Sequence, residues 1–561
     1  MKTLGKKTIM LVACMVWLAS CNDFLAEDPK GKLMTSDAFT QASDLEGAVN
    51  ILYRRVGRSS FGITQFINSQ MGDDLSTHPA SNKAAIREWD NYTISTNNDR
   101  LLWCWEDKYQ VIKAANYIIN GAESTPDVTQ EEIDYALGQA YFWRGWAYFY
   151  LVRAFGPLPK IVSLEIDFSA GLSSVSEIYE LIVSDLKMAE KLPASYNTVP
   201  KSMNGVNVVA SKGAAQAVLS YVYLTMAGWP LNRGAEYYQL AAAKALEVID
   251  GSENGTYYYQ LYDEYWKIHS KQENKQNKEA IAAIYYSKAF GNGDSSEAAR
   301  GAINDLQDCS QGWTDTRAEI GFWVNFPDGP RKTATYPEVT YNSGNGNSYR
   351  WWSTDLPEPN RSPYFGKSAF TNDNNSAGSY EYDFTKGYES QGDGWSEQIH
   401  QLVRLAEVYL FYAEAVGRSG QTNARAISLL NKVRNRADGH GPVDDASINL
   451  YSAGLSATDL AEAAYNEHGW EIAGWYWGAI APRYNDMQRM DRVKDHFNKR
   501  KANPEYVFKD PDTGQDVRVH EPFGPTGEWS QGKMFAPYPS EEIERNPVLN
   551  ISIEDKLNLI N

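Results

Sequence analysis

Three stretches of the sequence gather flat aromatic rings beside short polar side chains. "MGDDLSTHPASNKAAIREWDNY" carries Asp73, Asp74, Asn82, Arg87, Trp89 and Tyr92. "QGWTDTRAEIGFWVNFP" carries Trp313, Asp315, Arg317 and Trp323, and "GNGNSYRWWSTD" carries Asn345, Asn347, Tyr349, Arg350, Trp351 and Trp352. A pyranose ring offers an apolar face of C–H groups that packs on an aromatic π-face, while its hydroxyls need fixed donors and acceptors. Such residues, on loops braced by a rigid scaffold, suit the capture of sugars without chemistry. The candidate platforms are Trp89, Trp313, Tyr349, Trp351 and Trp352, and the candidate polar partners are Asp73, Asp74, Asn82 and Arg87. Each also has a plainer use. On a strand, tandem Trp351 and Trp352 point to opposite faces, so at most one of them binds. Asp73 and Asp74 are common turn and capping residues.

Other chemistries find little purchase. The sequence has no His-Glu-x-x-His, Cys-x-x-Cys, Gly-x-Ser-x-Gly or Walker pattern. Its seven histidines include no pair at helical ligand spacing, so neither a metal nor a cofactor is expected. Two calcium-like runs, Asp510 to Asp516 and Asn372 to Gly378, read more simply as turns. A pair of carboxylates for glycosidic cleavage is defined by a separation of ~5 to 9.5 Å in space, and a sequence carries no such distance. The expectation is a binding protein and not an enzyme.

The N-terminus supplies a different chemistry. Lys2, Lys6 and Lys7 precede an apolar run from Ile9 to Ala19, and small Ala19 and Ser20 precede Cys21. This has the form of a secretory signal and is shorter than the ~20 apolar residues of a membrane-spanning helix. Leu18-Ala19-Ser20-Cys21 resembles the lipobox of bacterial lipoproteins. That resemblance implies cleavage before Cys21 and acylation of its thiol, and two or more acyl chains hold a protein stably on a membrane surface.

Composition narrows the partners. The formal net charge is -18, and loss of residues 1–20 with their three lysines makes it more negative. Nucleic-acid binders show basic patches instead, so DNA and RNA are excluded as ligands. Charged residues at 22% and hydrophobic residues at 43% describe an ordinary globular chain. With Cys14 in the signal and Cys21 lipidated, Cys104 and Cys309 remain. Their sequence separation leaves open whether they pair.

Helical periodicity supplies the scaffold. Trp105, Tyr109, Ile112, Asn116 and Ile119 form one stripe ending at Gly121, and Trp143, Trp146, Ala147, Tyr150, Leu151 and Ala154 form another stopped by Gly156 and Pro157. The two helices predict an antiparallel hairpin. Ile178, Leu181, Ile182, Leu186 and Ala189 mark a further helix. The next contains Gly213, Ala214 and Ala217, small residues that predict close helix approach. A later pair places Leu405, Val408, Tyr409 and Tyr412 opposite Ile427, Leu430 and Val433 across "GRSGQTN". Such hairpins are similar to tetratricopeptide repeats, without a strict period. The stretch 271–397 is rich in Gly, Asn, Ser and Pro and is expected to be loop-rich and functional.

The lipobox with "CNDFLAEDP", then "RLAEVYLFYAEA", "LLNKVRNRA", "EHGWEIAGWYWGAIAPRYNDMQRM" and "MFAPYPSEEIERNPVLN" resemble, in that order, the SusD/RagB family. The resemblance implies a mostly α, tetratricopeptide-like, SusD-like fold with a loop-rich insertion. It also implies an outer-membrane lipoprotein that faces the cell exterior. Such a protein binds oligosaccharides and passes them to a SusC-like TonB-dependent transporter. The expected organisation is a signal peptide at 1–20, a lipidated tether at 21–36, an N-terminal helical part at 37–270, a ligand-binding part at 271–397 and a C-terminal helical part at 398–561. An oligopeptide ligand, a glycosidase and a protein–protein adaptor remain as alternative readings. Gly469 and Gly474, with no arginine before Arg483, depart from the arginine-richer family segment and leave its local packing open.

Overall fold

The computed structural model describes residues 39–60, 67–79, 84–164, 167, 169–198, 201–270, 272–286, 316–336, 338–342, 347–365, 398–443, 450–474 and 479–561. The first helix, α1 (Ala42–Ser59), buries Leu45, Val49, Leu52 and Val56 at three- and four-residue steps. After the short strand β1 (Leu75–Thr77) and helix α2 (Ala84–Asp90) comes the hairpin of α3 (Asp99–Gly121) and α4 (Gln130–Phe155). The Asn98 side chain caps α3 by accepting from the backbone N–H groups of Arg100 and Leu101. Thr129 and Glu132 form a reciprocal capping box at the start of α4. That helix ends where predicted, at Gly156, whose φ of +78° a side chain would resist.

The helical array continues through α5 (Val175–Ala189), α6 (Lys212–Ala227) and α7 (Ala235–Glu253). α1 packs on α3, α3 on α4, α4 on α5 and α6 on α7. Gly213 in α6 makes room for something other than the expected neighbouring helix. A Cβ there would lie 2.4 Å from the Tyr259 hydroxyl, so the glycine admits a ring from the chain beyond α7.

The second half begins with β2 (Ala280–Ile284) and continues through β3 (Thr316–Ala318), α8 (Ile320–Asn325), α9 (Pro330–Thr335), β4 (Val339–Asn342) and β5 (Asn347–Arg350). After it come β6 (His400–Arg404), α10 (Leu405–Arg418), α11 (Ala424–Ala437), α12 (Ala457–Ile472), α13 (Arg483–Arg489) and α14 (Val493–Ala502). A final hairpin joins β7 (Tyr506–Lys509) to β8 (Asp516–Val519). The strands pair only in short antiparallel ladders, β1 with β3, β2 with β6, β4 with β5 and β7 with β8. The fold is therefore mostly α, as expected. α10 packs on α7 and α12 and joins both halves into one array. At Gly417 the approach of α10 to α12 leaves no space for a Cβ, which would lie 2.6 Å from the Ala457 carbonyl oxygen.

Ions, as well as apolar groups, hold this second half. Buried Glu471 lies 2.7 Å from Arg404, 2.6 Å from Arg436 and 3.0 Å from Arg331. Glu279 meets Arg404 at 3.1 Å and Arg436 at 2.9 Å. Burial alone would raise the Glu471 carboxyl, but Arg436, Arg404 and Arg331 hold it far below the usual carboxylate range. Beside this cluster His468 sits between Asp486 at 2.5 Å and Glu407 at 3.3 Å. Burial would lower the imidazole, and these two carboxylates instead raise it to about 9.

Candidate functional site

Among the described residues there is an open cleft of about 690 Å³. Its walls come from α8, α9, the turn between them, Glu338 before β4, and Phe508 to Pro511 at the end of β7. Local sequence accounts for the shape. Gly329, at φ +143°, turns the chain sharply, and Pro330 starts α9 at a position where no N–H is missed. On the opposite wall Asp510 closes the β7–β8 turn by accepting from the backbone of Asp512 and Thr513 at 2.9 and 3.0 Å. The calcium-like run at Asp510 is thus a hairpin turn. The other such run, with Asn372, lies outside the described residues, and among those described no group of acidic, histidine or cysteine side chains could hold a metal.

Aromatic rings build the floor. Trp323 meets Phe508 at 4.9 Å between centroids and Trp351 at 5.1 Å, and Trp352 meets Phe508 at 5.2 Å. Phe508 is half-buried and lines the cleft with Trp323, Phe326 and Tyr336. Polar groups stand at the rim: Asn325 and Asp328 are exposed, and Lys332 Nζ lies 2.9 Å from Asp328 and 4.2 Å over the Trp323 ring. An apolar floor with a few polar groups at its rim can hold a flat-faced, hydroxylated ligand.

The residues singled out by sequence fall into three groups. Trp351 and Trp352 adjoin this cleft but are 0% and 6% exposed, so both support its floor and neither presents a face. Strand alternation does not apply to them, because the ladder ends at Arg350 and the pair sits in the following turn. Trp352 is further fixed by donating from Nε1 to Asp510 at 2.9 Å. Tyr349 is half-buried on β5.

The second group lies around β1. Trp89 is 1% exposed and belongs to the core, which removes it as a stacking platform. Asp73 accepts from Arg483 Nε at 2.7 Å and Nη2 at 2.9 Å. Asp74 accepts the Gly474 N–H at 2.7 Å. The two aspartates therefore clamp the chain between α12 and α13, and their carboxylates are engaged internally. Although burial would raise Asp73, Arg483 holds its carboxyl low, whereas burial and the Asp73 charge push Asp74 up to about 7. The glycine substitutions now make sense. A Cβ at Gly469 would lie 2.8 Å from Arg483 Nη1, and one at Gly474 would lie 2.2 Å from the Phe365 ring. Arg87 is half-buried on α2.

The third group, Cys21, Asn82 and Trp313, lies outside the described residues. Arg317 on β3 is committed to structure, donating to the Asn360 carbonyl at 2.9 Å. Cys104 is buried, its thiol pushed up to about 12, and Cys309 lies outside the described residues.

Sequence reasoning missed Phe326, Lys332, Tyr336 and Phe508 as the cleft's wall. The turn "DPDTG" between alternating "EYVFK" and "QDVRV" was a hairpin signal, and it places Phe508 on one hairpin face.

Comparison with known proteins agrees with this architecture. Residues 254–552 match the SusD family, and residues 23–224 match the family described as "Starch-binding associating with outer membrane". The chain belongs to the SusD family. SusD-like protein P2 of Formosa agariphila is 24% identical over 524 residues, covering 90% of this chain and 94% of its own. A SusD homolog from Bacteroides thetaiotaomicron superposes with a TM-score of 0.71 at 18% identity, covering 94% of this chain and 99% of its own. A structure solved with xylogluco-oligosaccharide gives 0.67 at 21% identity, covering 91% and 98%. Among the described residues no helix is long and apolar enough to cross a membrane.

Proposed function

We propose that this SusD-family protein is a lipid-anchored receptor of the outer-membrane surface that captures oligosaccharides and delivers them, chemically unchanged, to a SusC-like TonB-dependent transporter. The observation that carries the reading is the cleft with half-buried Phe508 in its wall and hydrogen-bonding groups at its rim. Aromatic faces take the C–H faces of sugar rings and the rim takes hydroxyls. The relative solved with xylogluco-oligosaccharide supports the ligand class. Acyl chains on Cys21 supply the anchor, and Asn82, Arg87, Trp313 and Tyr349 are proposed as further ligand contacts. An oligopeptide would call for backbone pairing along a strand edge, and the cleft is walled by side chains of two short helices and a hairpin instead.

The test is affinity electrophoresis of the purified protein in gels containing soluble glycans, with an assay for reducing ends on the same samples. Retardation without release of reducing ends is expected. It should be lost in Thr333→Trp, which fills the cleft from an exposed position. Steady hydrolysis by homogeneous protein would replace the reading with a glycosidase.

A further inference from the structure

The charge arrangement of the cleft narrows its ligand, an inference that rests on the oligosaccharide reading above. Among the described residues each cation lining the cleft is already committed. Lys332 is held between Asp328 and the Trp323 ring, and Lys509 Nζ lies 2.6 Å from Asp516. Arg350, adjoining through Glu338, donates from Nε and Nη2 to Asp512 at 3.0 and 2.9 Å and from Nη1 to Glu338. Four carboxylates, Asp328, Glu338, Asp512 and Asp516, thus answer three cations, Lys332, Lys509 and Arg350. In two of the three sets the carboxylate is the more exposed partner: Asp328 is 95% and Asp512 62% exposed, against 11% for Lys332 and 25% for Arg350, whereas Lys509 at 71% is more exposed than Asp516 at 45%.

We infer that the cleft selects neutral oligosaccharides and rejects chains bearing uronate or sulfate. An incoming anion meets Asp328 and Asp512 first, and no lining cation can turn toward it without leaving its own carboxylate. Rejection by like charge is a route to specificity separate from attraction. A neutral sugar pays no such cost, because stacking on Phe508 is indifferent to charge. Its binding should therefore be insensitive to salt, which screens only interactions between charges. The overall charge of -18 acts in the same sense at long range.

The experiment is titration calorimetry of the full lipidated protein in detergent. The probes are gluco-, xylogluco- and manno-oligosaccharides, each compared with its own form oxidised at primary hydroxyls to uronate. The neutral form should bind with less than about threefold change between about 20 and 500 mM salt, and the oxidised form about tenfold or more weaker at low salt. Asp328→Asn should narrow that difference severalfold. Oxidised chains that bind as tightly as neutral ones, in a manner abolished by Thr333→Trp, would overturn the charge selection and leave the cleft as a sugar site. Failure of every oligosaccharide to bind, or binding indifferent to Thr333→Trp, would remove the cleft reading itself and this inference with it.

Discussion

The α3–α4 hairpin and the α10–α12 layer have the same outward form, antiparallel helices stacked in one array, but different interiors. Between α3 and α4 the contacts are mainly rings and aliphatic chains: Trp105 against Phe155 at 5.1 Å and Tyr109 against Tyr148 at 6.4 Å, with Leu151 fully buried and one buried polar crossing, Arg144 donating to Asn116 at 2.8 Å. Around α10 and α12 the interior is a lattice of guanidinium and carboxylate groups centred on Glu471, Glu279 and the His468–Asp486 pair. Apolar interiors tolerate changes that keep volume, because their attraction has no direction. An ion lattice tolerates few changes, because each member removed leaves a buried charge without its partner.

A shape-preserving substitution in each region separates these cases most sharply. Glu471→Gln keeps the volume but removes the carboxylate that Arg404, Arg436 and Arg331 share, leaving the first two on Glu279 and the third on Glu467 with an uncompensated positive charge among them, and should cost about 3–5 kcal/mol in denaturant unfolding. Leu151→Met in α4 should cost less than about 1.5 kcal/mol. Equal costs would erase the distinction.

Acid and base should find the second region first. Glu471 and Asp486 have depressed carboxyls, so their contribution is complete above the unfolded carboxylate range near pH 4 and is lost as pH falls below it. The imidazole of His468 is raised, so its contribution is complete below about pH 6.5 and is lost as pH climbs through about 9. Hydrogen exchange corrected for intrinsic rates should show α10–α12 amides losing protection before those of α3–α4 at both extremes. Simultaneous loss in both regions would count against it.

Asp74 works in the opposite sense. Its carboxyl is raised to about 7, so the fold prefers it protonated and loses stability as pH rises from about 4 to 7. Asp74→Asn can still accept the Gly474 N–H, and it should flatten this slope and gain on the order of 1–2 kcal/mol at pH 8 but not at pH 4. A variant that is weaker at both pH values would mean that the charge itself is needed.

The contrast also separates what was legible in the sequence from what was not. Apolar spacing located α3 and α4 down to Gly121 and Gly156, because the periodicity of a greasy stripe is local. Arg404, Arg436 and Glu471 gave no such signal, since charged residues on a helix read as its solvent face until other elements are seen to cover them. Asp73 and Asp74 looked like ligands for the same reason: their partners, Arg483 and Gly474, lie some four hundred residues away. Trp351 and Trp352, read as platforms, are buried beneath the floor of the cleft. Ring type says nothing about which rings form a floor and which form its open surface, and that was settled by a strand ending one residue before them.

Rings provide the smallest and most selective test. Trp143 and Phe508 both make edge-to-face contacts near 5 Å, but Trp143 is enclosed while Phe508 is half-buried at the cleft. Enclosure decides how much of a ring's energy belongs to folding. Trp143→Ala should therefore cost about 3–5 kcal/mol of stability. Phe508→Ala, whose open face contributes little to the core, should cost about 1 kcal/mol of stability and weaken neutral-oligosaccharide binding by about 0.5–1.5 kcal/mol, the worth of one aromatic contact. Melting and calorimetry on the same samples would read both quantities. A Phe508→Ala protein that melts like Trp143→Ala, with sugar affinity unchanged, would show that the ring belongs wholly to the core and that sugars are not held by stacking in this cleft.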